Sequence, residues 1–420
     1  MASPGTEDTR ISTGWLRRLA RTTPGVIGII ALAVGTICVV AGVVSGGQLD
    51  GRIDERNSVL TRSEPFAYAA QNLYAALSAA DAAAASAFLS GGSETAEMRA
   101  QYRDALARAS SALADATAGT TDIKARTEMA KISEQLSIYT GLVESARANN
   151  RQGHVIGSAY LREASGLMQT SLLPAAESVY QANLTTAKDD QRTIGSLPIV
   201  TLALLALTLV GIAGGSLIMY RRTNRQFNIG LVVAATTVVV VAGWVVVATQ
   251  LAAGEVERSR TEGSERFEQL AQARILAQQA RTDETLELIS RGDISAGEKS
   301  FDGHMAELSK RLDAAPAAAK GAVGKWIASH RKQVELYNSG DYPAAVAQAI
   351  GPDPAASAAQ FAAVESSLRD GIERTRETLR DRVAAAGAWL AWSPTGTLVL
   401  MIVAASAAFV GLWPRLKEFL

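Results

Sequence analysis

The sequence predicts an all-α membrane protein with four transmembrane helices and two tandem extracytoplasmic up-down-up-down four-helix bundles. Three observations favour this architecture. The 41 basic and 41 acidic side chains all lie outside four long apolar stretches. An apolar stretch, a long polar segment and a second apolar stretch follow one another twice along the chain. The polar segments have apolar side chains at every third or fourth position, as in amphipathic helices, and lack the alternation of strands.

Four stretches of the chain contain no Asp, Glu, Lys or Arg, and each is long enough to cross a membrane. A helix needs about 20 apolar residues to span a hydrocarbon core of about 30 Å. We place transmembrane helices at residues 25–46, 197–220, 228–251 and 394–413. An Arg-rich flank before the first stretch also fits a signal peptide, but the apolar run is long for one. We therefore expect an uncleaved anchor.

The charges are distributed unequally between the short and the long segments. Residues 1–24, 221–227 and 414–420 carry an excess of basic side chains, whereas 47–193 and 252–392 each have a net charge of −3. Short cytoplasmic segments of multi-pass proteins carry the excess of Lys and Arg. We expect a multi-pass plasma-membrane protein with both termini in the cytoplasm and both long segments outside. The cytoplasmic parts are then an N-terminal arm, a turn between the second and third spans, and a C-terminal tail.

Each long segment has the pattern of four helices. In residues 47–193, four stretches with helical spacing are separated by short turns, and residues 252–392 repeat this order. Short connections favour antiparallel neighbours, as in an up-down-up-down bundle. The first helix of each segment ends in a similar sequence, Phe88–Gly92 in one and Leu288–Gly292 in the other. These similarities predict an internal duplication.

In the second segment, polar residues occupy helix positions whose spacing should place them in the core, where apolar residues are expected. The candidate ligand-binding residues are Arg274, Arg281, Glu284 and His330. Two guanidinium groups seven residues apart on one helix are suited to hold a carboxylate ligand by charge-assisted hydrogen bonds. The alternative is an internal Arg–Glu pair that fixes the helix register, or a helix rotated so that these groups face solvent.

The bend between the third and fourth helices of each segment is rich in Asn, Tyr and charged residues. In an up-down-up-down bundle this bend lies at the end far from the membrane. The candidate partner-docking residues are Asn149, Asn150, Arg151, His154, Tyr337, Asn338, Asp341 and Tyr342. Exposed Tyr, Asn and Arg suit protein contacts. The alternative is ordinary turn chemistry, in which Asn and Gly adopt left-handed conformations.

The sequence offers little for catalysis. It has no nucleotide-binding, metalloprotease or nucleophile-elbow motif. One Cys and three scattered His residues predict no metal site and no cofactor, and zero net charge gives no reason to expect nucleic-acid binding. We therefore expect a non-enzymatic protein whose first partner is the lipid bilayer.

The predicted cytoplasmic parts are too short to fold as domains, so any signal must pass to another protein. Arg221, Arg222 and Arg225 form a basic turn between the second and third spans. They are the candidate cytoplasmic output residues. The spans contain no charged residue, which argues against an ion or proton pathway.

The whole-chain layout resembles two known groups of proteins. The helical segments resemble the four-helix-bundle sensory module of bacterial chemoreceptors. The short Arg-rich N-terminus, the Ala-rich segments, the duplicated order and the endings Phe88–Gly92 and Leu288–Gly292 are similar to the actinobacterial GlnX family of four-span membrane proteins. This resemblance implies an amino-acid-binding lipoprotein, GlnH, as the extracytoplasmic partner and the Ser/Thr kinase PknG as the cytoplasmic effector. It implies no site residues.

Two functions of different classes follow as hypotheses. The first is a transmembrane sensor that reads an extracytoplasmic small molecule, such as an acidic amino acid, or a ligand-loaded solute-binding protein, and relays it to a cytoplasmic effector. The second is a structural scaffold for a cell-envelope or secretion complex. Either function is compatible with a homodimer.

Overall fold

The computed structural model describes residues 22–91, 94–120, 122–182, 198–223, 228–290, 292–313 and 315–417. Within these ranges the chain forms helices joined by short connections, and no strand occurs. The prediction of an all-helical protein is therefore confirmed.

The helices are numbered here in chain order. The first five are α1 Thr23–Ser58, α2 Glu64–Leu89, α3 Ala96–Gly119, α4 Ile123–Arg151 and α5 Ile156–Leu167. The next four are α6 Ile199–Thr223, α7 Ile229–Arg258, α8 Glu265–Ser290 and α9 Ser295–Arg311. The last four are α10 Ala317–Asn338, α11 Tyr342–Ile350, α12 Ser357–Leu390 and α13 Ser393–Lys417.

Four helical runs are long and apolar enough to cross a membrane. They are Gly25–Leu89, Ile199–Arg221, Ile229–Ile289 and Ser357–Pro414. Each overlaps one of the spans that the sequence predicts, so four candidate spans are confirmed by length and composition. Three of the runs have 65, 61 and 58 residues. In the first two, the helix passes from the apolar stretch into the polar segment through a π-helical turn, whereas residues 391–392 form a turn between α12 and α13 in the third.

The chain divides into two compact units. One, the span unit, takes its residues from 1–56, 192–256 and 384–420. The other, the helical unit, consists of a first half within 57–191 and a second half within 257–383. Both predicted extracytoplasmic segments thus contribute to a single compact unit.

The two halves of the helical unit share their hydrophobic core. One buried cluster joins Phe66 and Met129 of the first half to Phe301 and Leu368 of the second. A second cluster, built mostly from the first half, includes Ile275 of α8. The separate tandem bundles predicted from the sequence are therefore not confirmed, since apolar faces of each half are buried by the other half.

Helices α2 and α8 lie at the centre of the helical unit. No residue of α2 is exposed, and no residue from Leu270 to Ile289 of α8 is exposed. A helix surrounded by others buries all its faces and has no single apolar stripe. This explains why charged residues occur at core positions of α8, since every face of this helix is covered by neighbours.

The second half contains a short helix that the sequence analysis did not predict. Helix α11 lies between α10 and α12, where a single bend between a third and a fourth helix was expected. Asp341 caps α11 by accepting a hydrogen bond from the backbone N–H of Ala344 at 3.1 Å, and Pro343 lies in its first turn. The segment Gly351-Pro352-Asp353-Pro354 then prevents the helix from continuing. The second half is therefore not a simple four-helix bundle.

The two halves repeat several local features about 200 positions apart. A π-helical turn precedes each central helix, Val59–Ser63 before α2 and Ser259–Ser264 before α8. Both central helices have 26 residues. The recurrence agrees with the predicted duplication, which stays a prediction.

Candidate functional site

The carboxylate of Glu284 is the centre of a buried polar cluster in the second half. Its side chain has no exposed surface. Arg281 Nη1 donates to Oε2 at 2.6 Å, and Trp326 Nε1 donates to the same oxygen at 3.1 Å. His330 Nδ1 lies 3.3 Å from Oε1. Three of the four predicted ligand-binding residues therefore lie together.

Two opposing effects set the pKa of Glu284. Burial by itself raises this pKa, because it penalises the charged form. The charge of Arg281, and the hydrogen bond and charge of His330, outweigh burial, so that the pKa lies below its usual value. The cluster thus contains a stable internal ion pair, as the alternative interpretation of these residues expects.

Aromatic and amide side chains enclose this cluster. The ring of Phe301 stacks on His330 with centroids 3.6 Å apart, and Phe301 also meets Trp326 edge to face at 5.6 Å. Gln333 Nε2 donates to Glu287 Oε1 at 3.0 Å. Burial raises the pKa of Glu287 to about 7, and the charge of Glu284 adds to the shift, whereas His330 and Gln333 oppose it.

Arg274, the fourth predicted residue, lies apart from this cluster and joins the two halves. Its Nε donates to Glu365 Oε1 at 2.7 Å. Its Nη1 donates to Gln71 Oε1 at 3.1 Å and to Asn72 Oδ1 at 3.0 Å. The described contacts thus join three of the four predicted residues and leave Arg274 apart, and the ligand-binding role of the four stays a prediction.

Arg274 lines a cleft of about 800 Å³ between the halves, which we call the inter-half cleft. Its walls come from α2, α3, α8 and α12. The residues that give it shape and charge are Phe66, Tyr68, Ala69, Asn72, Ala76, Arg108, Ala112, Asp115, Arg274, Gln278, Phe361, Glu365, Arg369 and Arg376. The abundant small side chains of α2 and α3 leave the space that larger residues would fill.

The four arginines of the inter-half cleft differ in their pairing. Arg274 pairs with Glu365, and Arg376 pairs with Glu64 at 2.5 Å. Arg108 and Arg369 are exposed, and neither makes a hydrogen bond or ion pair with another described residue. Two guanidinium groups are therefore available to a ligand. The sequence analysis missed them because they lie on helices far apart in the chain.

A second buried carboxylate, also missed, lies in the first half. Asp81 of α2 is 1% exposed and accepts hydrogen bonds from Ser165, Tyr139 and Gln169. Burial raises its pKa, and these hydrogen bonds oppose the shift without cancelling it. The available signal was that Asp81 is the only charged residue between Glu64 and Glu94.

The predicted docking residues lie at the bends after α4 and α10, and several are used internally. Asn150 Nδ2 donates to the backbone carbonyl of Phe88 at 3.1 Å. Tyr342 Oη donates to the carbonyl of Leu288 at 3.0 Å. Each bend is thus bonded to the end of the central helix of its own half, at positions 200 apart.

The other docking residues are partly free for contacts. Tyr337 Oη donates to the carbonyl of Gly292 at 3.0 Å, and Asn149 Oδ1 lies 3.3 Å from His154 Nδ1. The exposed members of the group are Arg151, His154, Asn338 and Asp341. Ordinary turn contacts account for the half-buried members, and the docking role stays a prediction.

The predicted output residues are only partly described. Arg221 is exposed near the end of α6. The side chain of Arg222 and all of Arg225 lie outside the described part of the structure. No site can therefore be built at the basic turn.

Comparisons with known proteins give one result. Searches of curated proteins and of solved structures each gave no significant match. Residues 55–192, which make up the first half of the helical unit, match the family model of an actinobacterial sensor domain, and this similarity supports a sensing role for the protein.

Proposed function

We propose that this protein is a non-enzymatic transmembrane sensor. The helical unit receives an extracytoplasmic signal, and the candidate spans pass it to a separate cytoplasmic effector. The similarity of residues 55–192 to a sensor domain and the four candidate spans support this function.

One observation supports the relay in particular. The ion pair between Arg274 and Glu365 joins α8 to α12 beside the inter-half cleft. The helical runs Ile229–Ile289 and Ser357–Pro414 each contain one of these residues and one candidate span, with a turn at residues 391–392 in the second run. A ligand that changes this pair alters contacts between two helical runs that also contain spans. Packed helices respond to such changes by small shifts or rotations.

The orientation and the partners of the sensor belong to the same proposal. The basic flanks favour cytoplasmic termini, so the helical unit lies outside the plasma membrane. The resemblance to the GlnX family favours an amino-acid-binding lipoprotein as the exterior partner, docked at the exposed bends, and a Ser/Thr kinase as the effector. Arg221, Arg222 and Arg225 then form the output surface.

Phosphoproteomics in the native host tests the relay. We compare cells with the wild-type gene, cells without it and cells with Glu365→Gln, before and after addition of aspartate or glutamate. A sensor requires that deletion abolish the phosphorylation response. Glu365→Gln should weaken the response at unchanged membrane abundance, because it removes the charge that pairs with Arg274.

The scaffold hypothesis predicts a different outcome. The exposed residues Arg151, His154, Asn338 and Asp341 also suit permanent contacts to an envelope complex. In that case deletion would disrupt the complex with or without added amino acids, and Glu365→Gln would behave as wild type. This result would reject the sensor.

A further inference from the structure

We propose that the inter-half cleft binds an organic monocarboxylate with an aromatic or aliphatic body. This inference rests on the proposed function, because it names a ligand that the helical unit binds directly, whereas aspartate or glutamate acts on the sensor through its lipoprotein partner. It is carried by two exposed, unpaired guanidinium groups that line a largely apolar cleft.

The charges of the cleft favour a single negative charge on the ligand. Arg108 and Arg369 have no partner among the described residues, whereas Arg274 and Arg376 are neutralised by carboxylates. The carboxylate of Asp115 is also unpaired and lies two turns from Arg108 on α3, about 10 Å along the helix axis. Two free cations and one free anion attract a monocarboxylate, and Asp115 disfavours a second carboxylate nearby.

The walls of the cleft favour an apolar ligand body. Phe66, Tyr68 and Phe361 line it together with alanines of α2 and α3. Its volume of about 800 Å³ lies within the range of small-molecule sites, about 300–1,000 Å³. An inorganic anion would leave most of this apolar surface uncovered, so we favour an organic ligand.

The interior of the cleft also offers a hydrogen-bond acceptor. Gln278 is 2% exposed, and its Nε2 donates to Glu365 Oε2 at 3.1 Å. Its Oε1 is buried without a partner in the described structure. A hydroxyl group on the ligand would satisfy this oxygen, and an unsatisfied buried acceptor is costly. 3-Phenyllactate has a carboxylate, an apolar body and a hydroxyl group, so it is a suitable probe.

Isothermal titration calorimetry with the full-length protein in lipid nanodiscs tests the proposal. The wild-type protein should bind 3-phenyllactate, and more weakly at high salt. The double variant Arg108→Gln with Arg369→Gln should bind about tenfold or more weakly, since each substitution removes a charge-assisted hydrogen bond. The control Arg103→Gln removes an exposed charge of α3 outside the cleft and should bind as wild type.

Two further ligands make the test specific. The amide of 3-phenyllactate has the same body without the negative charge and should bind about tenfold or more weakly. Inorganic phosphate should bind more weakly than 3-phenyllactate. Absence of carboxylate binding, equal binding by the double variant, equal binding of the amide, or preference for phosphate would each overturn the proposal.

The calorimetric result is independent of signalling. Because Arg108 and Arg369 are exposed, their replacement should leave the thermal unfolding temperature unchanged, and this measurement verifies that the double variant is folded. Failure to bind the probe together with a normal phosphorylation response in cells would reject the monocarboxylate site and leave the sensor intact. Loss of the phosphorylation response together with normal binding of the probe would reject the sensor and leave the monocarboxylate site intact.

Discussion

The carboxylate of Asp81 accepts a 2.7 Å hydrogen bond from the hydroxyl of Ser165, and both side chains are buried. Its other partners, Tyr139 and Gln169, are uncharged donors. No cation among the described residues pairs with Asp81. Since burial raises its pKa, the ionised form costs free energy in the folded protein.

We predict that Asp81→Asn stabilises the protein more as the pH rises. A carboxyl group whose pKa is raised on folding contributes stability below its unfolded pKa of about 4, and this stability is lost as the pH rises through the folded pKa. Asn cannot ionise and escapes this loss. Thermal unfolding of the detergent-solubilised protein should therefore give a difference between variant and wild type that grows as the pH rises above about 4 and becomes constant above the folded pKa.

Asp104→Asn is the matched control for this prediction. Asp104 lies exposed on α3, so its replacement should change the unfolding temperature little at any pH. A constant difference between Asp81→Asn and wild type across the pH range would mean that folding does not raise the pKa of Asp81.

We predict that Arg281→Ala destabilises the protein strongly. The substitution leaves the buried carboxylate of Glu284 without its cation, and loss of one partner of a buried pair costs about 3–5 kcal/mol. It also removes the donor to the carbonyl of Ala349 at 3.2 Å. The unfolding temperature at neutral pH measures the effect.

The pair of Lys131 and Glu128 provides the comparison for Arg281. It has the same spacing of three residues but lies at the surface, with Lys131 56% exposed. Such a pair contributes at most about 1 kcal/mol, so Lys131→Ala should have a small effect. Equal effects of Lys131→Ala and Arg281→Ala would show that the buried pair contributes nothing beyond a surface pair.

We predict that Trp326→Phe separates the hydrogen bond at Glu284 from the packing around it. Phe keeps an aromatic ring beside Phe301 and Phe361 but removes the indole N–H that donates to Glu284 Oε2. A buried acceptor that loses a donor costs about 1–3 kcal/mol. The unfolding temperature should fall accordingly, whereas Trp392→Phe at a 79% exposed position should have little effect. A neutral Trp326→Phe would mean that Arg281 and His330 alone satisfy the carboxylate.

The sequence identified the spans and the polar residues of α8 for clear physical reasons. Absence of charge over about 20 residues is a strong signal of a membrane span. Arg281 and Glu284 were recognised because burial of a charged residue costs free energy, so charged residues are rare at helix positions that face the core. The short helix α11 was missed because its signals, Asp341 followed by Pro343, also fit an ordinary turn.

The inter-half cleft could not be predicted from the sequence. Arg108 and Arg369 lie on ordinary exposed helix faces, and only the packing of one half against the other brings them to one cleft. Helix α2 has a single charged residue after Glu64, which favours burial, but its many alanines do not indicate which helices pack against it. Local spacing describes one helix at a time and does not reveal which helices become neighbours.

Helices α7 and α13 cross closely in the span unit. Asn228 Nδ2 donates to the carbonyl of Gly411 at 2.9 Å, and its Oδ1 accepts from the N–H of Gly230 at 2.9 Å. A Cβ at Gly230 would overlap the carbonyl oxygen of Ala407 and the Cα of Gly411. Small residues of this kind let membrane helices approach closely.

Gly230→Ile should therefore destabilise the span unit, whereas Gly243→Ile should not. Both glycines lie on α7, but a Cβ at Gly243 has no neighbour within 4 Å. Forcing a large side chain into a packed contact typically costs about 1–3 kcal/mol, which should lower the unfolding temperature in detergent and increase proteolysis of the solubilised protein. Both variants add the same apolar side chain, so membrane affinity changes equally in the two. A difference between their unfolding temperatures therefore reports the packing of α7 against α13. Equal stability of the two variants would mean that α7 and α13 separate without cost.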